Sequence, residues 1–497
     1  MMKWLFMRAA IAGIVAMALA GCTVGPDFHT PAVPAVSRYT AAPLPAQTVA
    51  APTDGGVAQR FAFARQLSSR WWKLFRSPEL DALIKRGLAQ SPTLSAARAA
   101  LRETRENFRA AGGALHYPRL DVNLWAQHQR SSGAAFGGSN IEYNLYNASV
   151  GVSYILDLFG GPRRQLEGLQ ARVDYQRYQF EGTYLALTGN IVTTAIREAA
   201  LREQINTTQN ILAVERKQLA MVKRQFELGA VSKVAVLSQQ SQLATTSATL
   251  PPLQKQLAFT RHALAVLAGQ LPSAGLPVFQ LDSLHLPEVL PVTLPSTLAR
   301  QRPDIRAAEA LLHQAGAAIG VATANLYPQI TLSGSFGTQA TGTGDLFSGS
   351  GAIWNIGAGL LQPLFHGGEL SAKRRAAVAA YDQAAAQYRQ TVLLAFKNVA
   401  DVLCALDSDA LTLQARAAAE AAVKANLDLT RRQFRLGAVN YLALLVARRD
   451  YQQARIGLVA ARAQRYADTA ALFQALGGGW WNRSLAAAGS PAKAKMD

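Results

Sequence analysis

Phe226-Glu227-Leu228-Gly229-Ala230-Val231-Ser232 returns later in the chain as Phe434-Arg435-Leu436-Gly437-Ala438-Val439-Asn440. Three other anchors keep nearly the same spacing: Gln90-Ser91-Pro92 with Gln301-Arg302-Pro303, Tyr117-Pro118-Arg119-Leu120 with Tyr327-Pro328-Gln329-Ile330, and Leu158-Phe159-Gly160-Gly161 with Leu364-Phe365-His366-Gly367-Gly368. Four matches at an offset of roughly two hundred residues read as an internal two-fold repeat. The fold can therefore be read from one unit and doubled.

Each unit opens on a helix. Ser91-Pro92 supplies an N-cap and a first-turn proline ahead of an Ala-rich stretch to Ala114, and Pro118 stops it. From Leu120 the period changes to two: Leu120, Val122, Leu124 and Ala126 alternate with Asp121, Asn123 and Gln127, a strand with one wet face. Ser131 to Ser139 reads as a Gly/Ser-rich loop, and Val150, Val152, Tyr154, Leu156 and Leu158 form the hairpin's second strand.

After Gly160-Gly161-Pro162 a helical pattern holds to Leu228, about 67 residues or roughly 100 Å at 1.5 Å per residue. Its seam is narrow and partly polar, with Leu187, Ile191, Leu201, Leu212, Leu219 and Val222 in register and Thr194, Glu198, Thr208 and Glu215 between them. Gly229 turns the chain into a return helix from about Ser232 to Leu267, which Pro251-Pro252 should break or kink. The second unit repeats this: helix from Pro303, strands Ile330 to Thr338 and Ile353 to Leu364, long helix Gly368 to Leu436, return helix Asn440 to Leu476. The expected domains are 22–90 as an N-terminal segment, 91–270 and 303–479 as the repeats, and 480–497 as a flexible tail. A Pro-rich linker, 271–302, joins the repeats without a core of its own.

The beginning of the chain places the protein. Lys3 and Arg8 precede an apolar run from Ala9 to Ala20, shaped like a secretory signal over 1–21 and short for a bilayer anchor. Leu19-Ala20-Gly21-Cys22 resembles a bacterial lipobox, which implies lipidation (palmitate) of Cys22 and, with Thr23 rather than Asp following, sorting to the outer membrane.

Composition excludes other classes. Only Cys404 remains after Cys22, read as a small buried residue, so no intramolecular disulfide or cysteine metal cluster forms. Seven histidines fall at no ligand spacing, and no nucleophile set or phosphate-binding glycine loop is present, so neither metal, cofactor nor enzyme activity is expected. The net charge of +19 is spread along helix faces and fits a cationic lumen or anionic lipid; nucleic acid is not expected to meet an exported lipoprotein.

Four strands with one apolar face suit a membrane barrel wall but cannot close one, and an open edge in lipid leaves backbone groups unpaired. Copies must share the barrel. Two would make eight strands around an interior filled by side chains, whereas three would make twelve strands around a channel that the long helices extend.

Cys22-Thr23-Val24-Gly25-Pro26-Asp27-Phe28, Trp71-Trp72-Lys73-Leu74-Phe75, Arg302-Pro303-Asp304-Ile305-Arg306 and Leu436-Gly437 leading to Asn440-Tyr441-Leu442 resemble, in this order, the signatures of TolC-like outer membrane factors of the NodT lipoprotein branch. The resemblance implies a mainly α fold with a β-barrel part: a homotrimer whose 12-stranded outer-membrane barrel, four strands per chain, continues into a long periplasmic α-helical barrel. It also implies an exit duct for small molecules that docks a periplasmic adaptor (membrane fusion) protein and an inner-membrane pump. A secretion duct for proteins and a stand-alone porin are the alternatives.

The family often places Arg-Tyr before the second turn glycine and an Asp after it to close the tip. Gln433, Phe434 and Val446 stand there instead. An apolar gate of Gln433, Phe434, Leu442, Leu445 and Val446 is expected, with coiled-coil packing as the other reading of Leu442 and Leu445. Adaptor contact is expected at Leu228, Gly229, Ala230, Val231 and Leu436, Gly437, Ala438, Val439.

Overall fold

The computed structural model describes residues 23–63, 65, 67–133 and 138–483. The signal segment, Cys22 and the stretch 484–497 lie outside the described residues, together with the readings made of them. In chain order the elements are β1 (Arg60–Phe63), a 3-10 turn (Trp71–Phe75), α1 (Pro78–Gln90), α2 (Pro92–His116), β2 (Arg119–Ser131), β3 (Ile141–Leu156), α3 (Gly161–Glu227) and α4 (Lys233–Leu267). They continue with β4 (Val289–Val292), α5 (Pro295–Gln301), α6 (Pro303–Ala324), β5 (Gln329–Ala340), β6 (Ala352–Leu361), α7 (Glu369–Arg435) and α8 (Tyr441–Ala475). Both α3 and α7 have 67 residues, and both α4 and α8 have 35.

The described residues divide into two compact units that do not follow the order of the sequence: one takes 23–31, 100–177 and 307–389, the other 32–99, 178–306 and 390–483. The first carries a four-stranded antiparallel sheet in the order β2-β3-β5-β6. Its pairing places Val122, Val150, Phe336 and Trp354 in one row and Asp121, Gly151, Ser335 and Asn355 in the adjacent row, on opposite faces. The apolar face is open: Val122 is 70% exposed, Phe336 68% and Trp354 72%. The period-two pattern is thus realised, with its apolar side uncovered. β3 starts at Ile141, well before the expected Val150, so the second strand is longer than the alternating pattern suggests.

Below the sheet the N-terminal residues are clamped to α3 and α6. Arg164 sends Nη2 to Asp27 (2.6 Å) and to the carbonyl of Gly25 (3.3 Å), and Nε to the carbonyl of Val24 (3.2 Å). Phe28 stacks on His313 at 4.1 Å between ring centres. Gly25, at φ 94°, lies so close to Gly320 that a Cβ there would come within 2.5 Å of its Cα, which ties two glycines to one contact.

The second unit holds the main core. Trp71, Trp72 and Phe75 are buried in it, each contributing about 1.5–3 kcal/mol by burial. The Trp72 indole donates to Asp81 (2.9 Å), and Ser77 caps α1 at the amide of Leu80 (3.2 Å). Arg302 donates to the carbonyls of Ala475 (2.9 Å) and Ala395 (3.2 Å), a cation at the C-terminus of α8.

The Pro-rich stretch adds Leu276, Phe279, Leu281, Leu284, Leu286 and Leu290 to this core, and β4 pairs in parallel with β1. Three readings differ from the sequence expectation here. α4 passes unbroken through Pro251 and Pro252, which are exposed, so water can serve the carbonyls they leave without partners. Cys404 is exposed rather than buried, because Leu403 and Leu406 fill the narrow core stripe beside it. The start of the expected flexible tail is docked: the Trp480 indole donates to the carbonyl of Gln301 (2.7 Å), and Arg483 pairs with Glu181 (2.5 Å).

Candidate functional site

The two long helices end in the same way. In the first, the amide of Ala230 donates to the carbonyl of Gln225 (2.8 Å) and that of Gly229 to Phe226 (2.9 Å); in the second, Ala438 donates to Gln433 (2.9 Å) and Gly437 to Phe434 (3.1 Å). These paired bonds satisfy the terminal carbonyls only if the residue past the helix turns left-handed, and Gly229 and Gly437 do so at φ 75° and 76°. The return helices start at once, capped by Ser232 on the amide of Ala235 (3.4 Å) and by Asn440 on that of Ala443 (2.9 Å).

Behind the turns, Val222 of α3, Val236 of α4, Leu427 of α7 and Tyr441, Leu444 and Ala447 of α8 form one small core. The expected gate residues divide around it. Phe434 and Leu445 pack against this core, with the Phe434 ring 5.6 Å from that of Tyr441. Leu442 and Val446 are exposed, and Gln433 serves the turn through its carbonyl. Among the docking residues, Leu228 and Leu436 protrude, Gly229, Ala230, Gly437 and Ala438 are exposed, and Val231 and Val439 are half-buried.

A buried polar layer, which the sequence reading left as intervening register positions, accompanies the apolar core. Glu215 Oε1 accepts from Thr246 Oγ1 (3.1 Å), Gln452 Nε2 (3.1 Å) and Gln242 Nε2 (3.4 Å), and Tyr441 donates its hydroxyl to Gln239. Burial pushes the Tyr441 hydroxyl up to about 12, against the pull of Arg448. Arg448 itself is lowered by burial, with Arg431 adding to the effect while Tyr441 and Glu215 oppose it. Further along α3, the fully buried Glu198 is held by Arg202 (2.7 Å), Arg261 (2.8 Å) and the amide of Phe279 (3.0 Å). The sequence signal for this layer was a carboxylate at a seam position of a long amphipathic helix.

No helix among the described residues is long and apolar enough to cross a membrane. The sheet leaves an apolar face exposed and ends at β2 and β6, and each long helix ends in a glycine turn of the same geometry. The chain belongs to the outer membrane efflux protein family, whose profile matches residues 83–270 and 294–478. It is 32% identical over 450 residues, 86% of this chain and 93% of the relative, to the pyoverdine export outer membrane protein OpmQ of Pseudomonas aeruginosa. It is 26% identical to the cation efflux system protein CusC of Escherichia coli, over 94% of this chain and 97% of that one. The solved outer-membrane channel OprN superposes with a TM-score of 0.84 at 27% identity, covering 92% of this chain and all of the other.

Proposed function

We propose that this protein is the outer-membrane exit duct of a tripartite efflux pump, passing small molecules from a periplasmic adaptor and an inner-membrane pump to the exterior. The observation that carries the reading is the sheet: one face exposes a continuous apolar band, the other is polar, and β2 and β6 remain as edges. Such a sheet is stable in lipid only when its edges pair with further copies. Three chains make a twelve-stranded barrel whose polar face lines a channel, and the apolar face that carries Phe336 and Trp354 meets lipid. The two halves act as copies of one unit, and acyl chains on Cys22 anchor the trimer in the outer membrane.

At the far ends of the long helices, Leu442, Val446, Phe434, Leu445 and Gln433 narrow the tube, and the Gly229 and Gly437 turns meet the adaptor. Relatives are named for different cargoes, pyoverdine and cations among them, so the shared activity is the duct and the pump supplies selection. Single-channel conductance of the lipidated protein in planar bilayers, with mass measured in parallel, tests this. A trimer with a small, mostly closed conductance is expected; a monomer without a pore overturns the reading, and a large, constantly open pore points to a porin.

A further inference from the structure

In the second unit, α3, α7 and α8 line a half-open cavity of about 180 Å³ behind the helical turns, too small for a drug-sized solute. Its polar groups are mismatched. Glu215 is only 3% exposed, and while Oε1 takes all three of its side-chain donors, Oε2 has no partner. Arg448 also lines the cavity, and its Nε and Nη1 are buried without an acceptor. Arg431 and Arg455 complete the wall. Buried donors and acceptors left open in this way cost free energy until something satisfies them.

We infer that this cavity binds a small oxyanion that carries a hydroxyl, of the inorganic phosphate class. Arg431 is already paired with Asp428 (3.2 Å), and the Arg448 and Arg455 guanidinium groups against the Glu215 carboxylate still leave the wall net positive, so the occupant is an anion whose oxygens accept from Arg448 and its neighbours. The open Glu215 oxygen, however, repels a bare anion and requires a donor. Phosphate at neutral pH satisfies both demands, with oxygens for the arginines and a P–OH for Glu215. Sulfate has no hydrogen to give and is disfavoured. This assignment stands whether or not the chain is an exit duct.

Equilibrium dialysis of the detergent-purified full chain against radiolabelled inorganic phosphate, with sulfate as competitor at matched ionic strength, tests it. Saturable binding is expected, with sulfate competing at least about tenfold more weakly, since a site built around a hydroxyl rejects the analogue lacking it. Arg448→Gln should weaken phosphate binding by at least about tenfold, and Glu215→Gln should remove the preference over sulfate. If Arg448→Gln does not fold, Arg455→Gln, at an exposed position, gives the same reading with a smaller loss. No saturable binding, equal competition by sulfate, or binding unchanged in both arginine variants overturns the assignment.

Discussion

The hydroxyl of Tyr441, at the first turn of α8, donates to the side-chain oxygen of Gln239 in α4, joining the return helices of the two halves by a buried bond. Tyr441→Phe leaves the Gln239 side chain, fully buried, without that donor. A loss of about 1–3 kcal/mol is expected, read by denaturant unfolding of the helical region. With its hydroxyl pushed up to about 12, Tyr441 stays protonated and the loss should be constant from neutral pH to mildly alkaline pH.

Gly229 and Gly437 have open space where a Cβ would stand, so their conformation and not their surroundings requires glycine. Alanine at either position should cost about 1–2 kcal/mol through the left-handed φ alone. Gly320→Ala should behave differently, since its Cβ would come within 2.6 Å of the Arg164 side chain and disturb the N-terminal clamp. Melting curves of the three single variants, with proteolysis of the N-terminal segment, separate the two causes.

Arg164→Ala removes the partner of Asp27 and of the Val24 and Gly25 carbonyls. Hydrogen bonds to a charged group contribute about 1.5–3 kcal/mol, so the N-terminal segment should loosen while the sheet keeps its pairing. Faster chymotryptic cleavage at Phe28, with unchanged strand content by circular dichroism, is the expected result.

Asp409 is held up at about 7, first by burial and then by its hydrogen bond and charge contact with Asp468, while Arg465 pulls it down. The folded chain therefore keeps a proton that the unfolded chain releases. Stability should fall as pH rises from about 4 to 7 and level off above, because in that window the folded state binds more protons. In Asp409→Asn this part of the slope of Tm against pH should disappear.

At the turns, Val446→Asp and Phe434→Ser separate gating from packing. Val446 is exposed in the single chain, so Val446→Asp should raise conductance and leave melting unchanged. Phe434 lies on the small core with Tyr441, so Phe434→Ser should lower stability as well. A folded trimer with unchanged conductance in both variants would remove these residues from the gate.

Much of the fold was legible because its signals are local. Gly229 and Gly437 mark helix ends through their own backbone, Ser232 and Asn440 cap their own helices, and the alternation from Leu120 to Gln127 needs only a strand to express it. Less of the candidate site was legible. The sequence shows that Glu215 and Arg448 lie on long helices; it does not show that they line one cavity, since the residues facing them come from a chain segment roughly two hundred positions away. The same holds for Leu442 and Leu445: the sequence left both open between gate and core, and packing exposed one and half-buried the other.

By itself the sequence determined the duplicated order of elements, the lengths of the long helices and the two-faced strands, because periodicity, capping and turn glycines act over a few residues. Tertiary structure alone decided that Leu276 to Leu290 fill the core, that β1 finds β4, that exposed prolines leave α4 unbroken, and which seam carboxylates find donors. Those outcomes depend on which surfaces meet and how much water they exclude, and burial is a property of the assembled chain rather than of any short stretch of it.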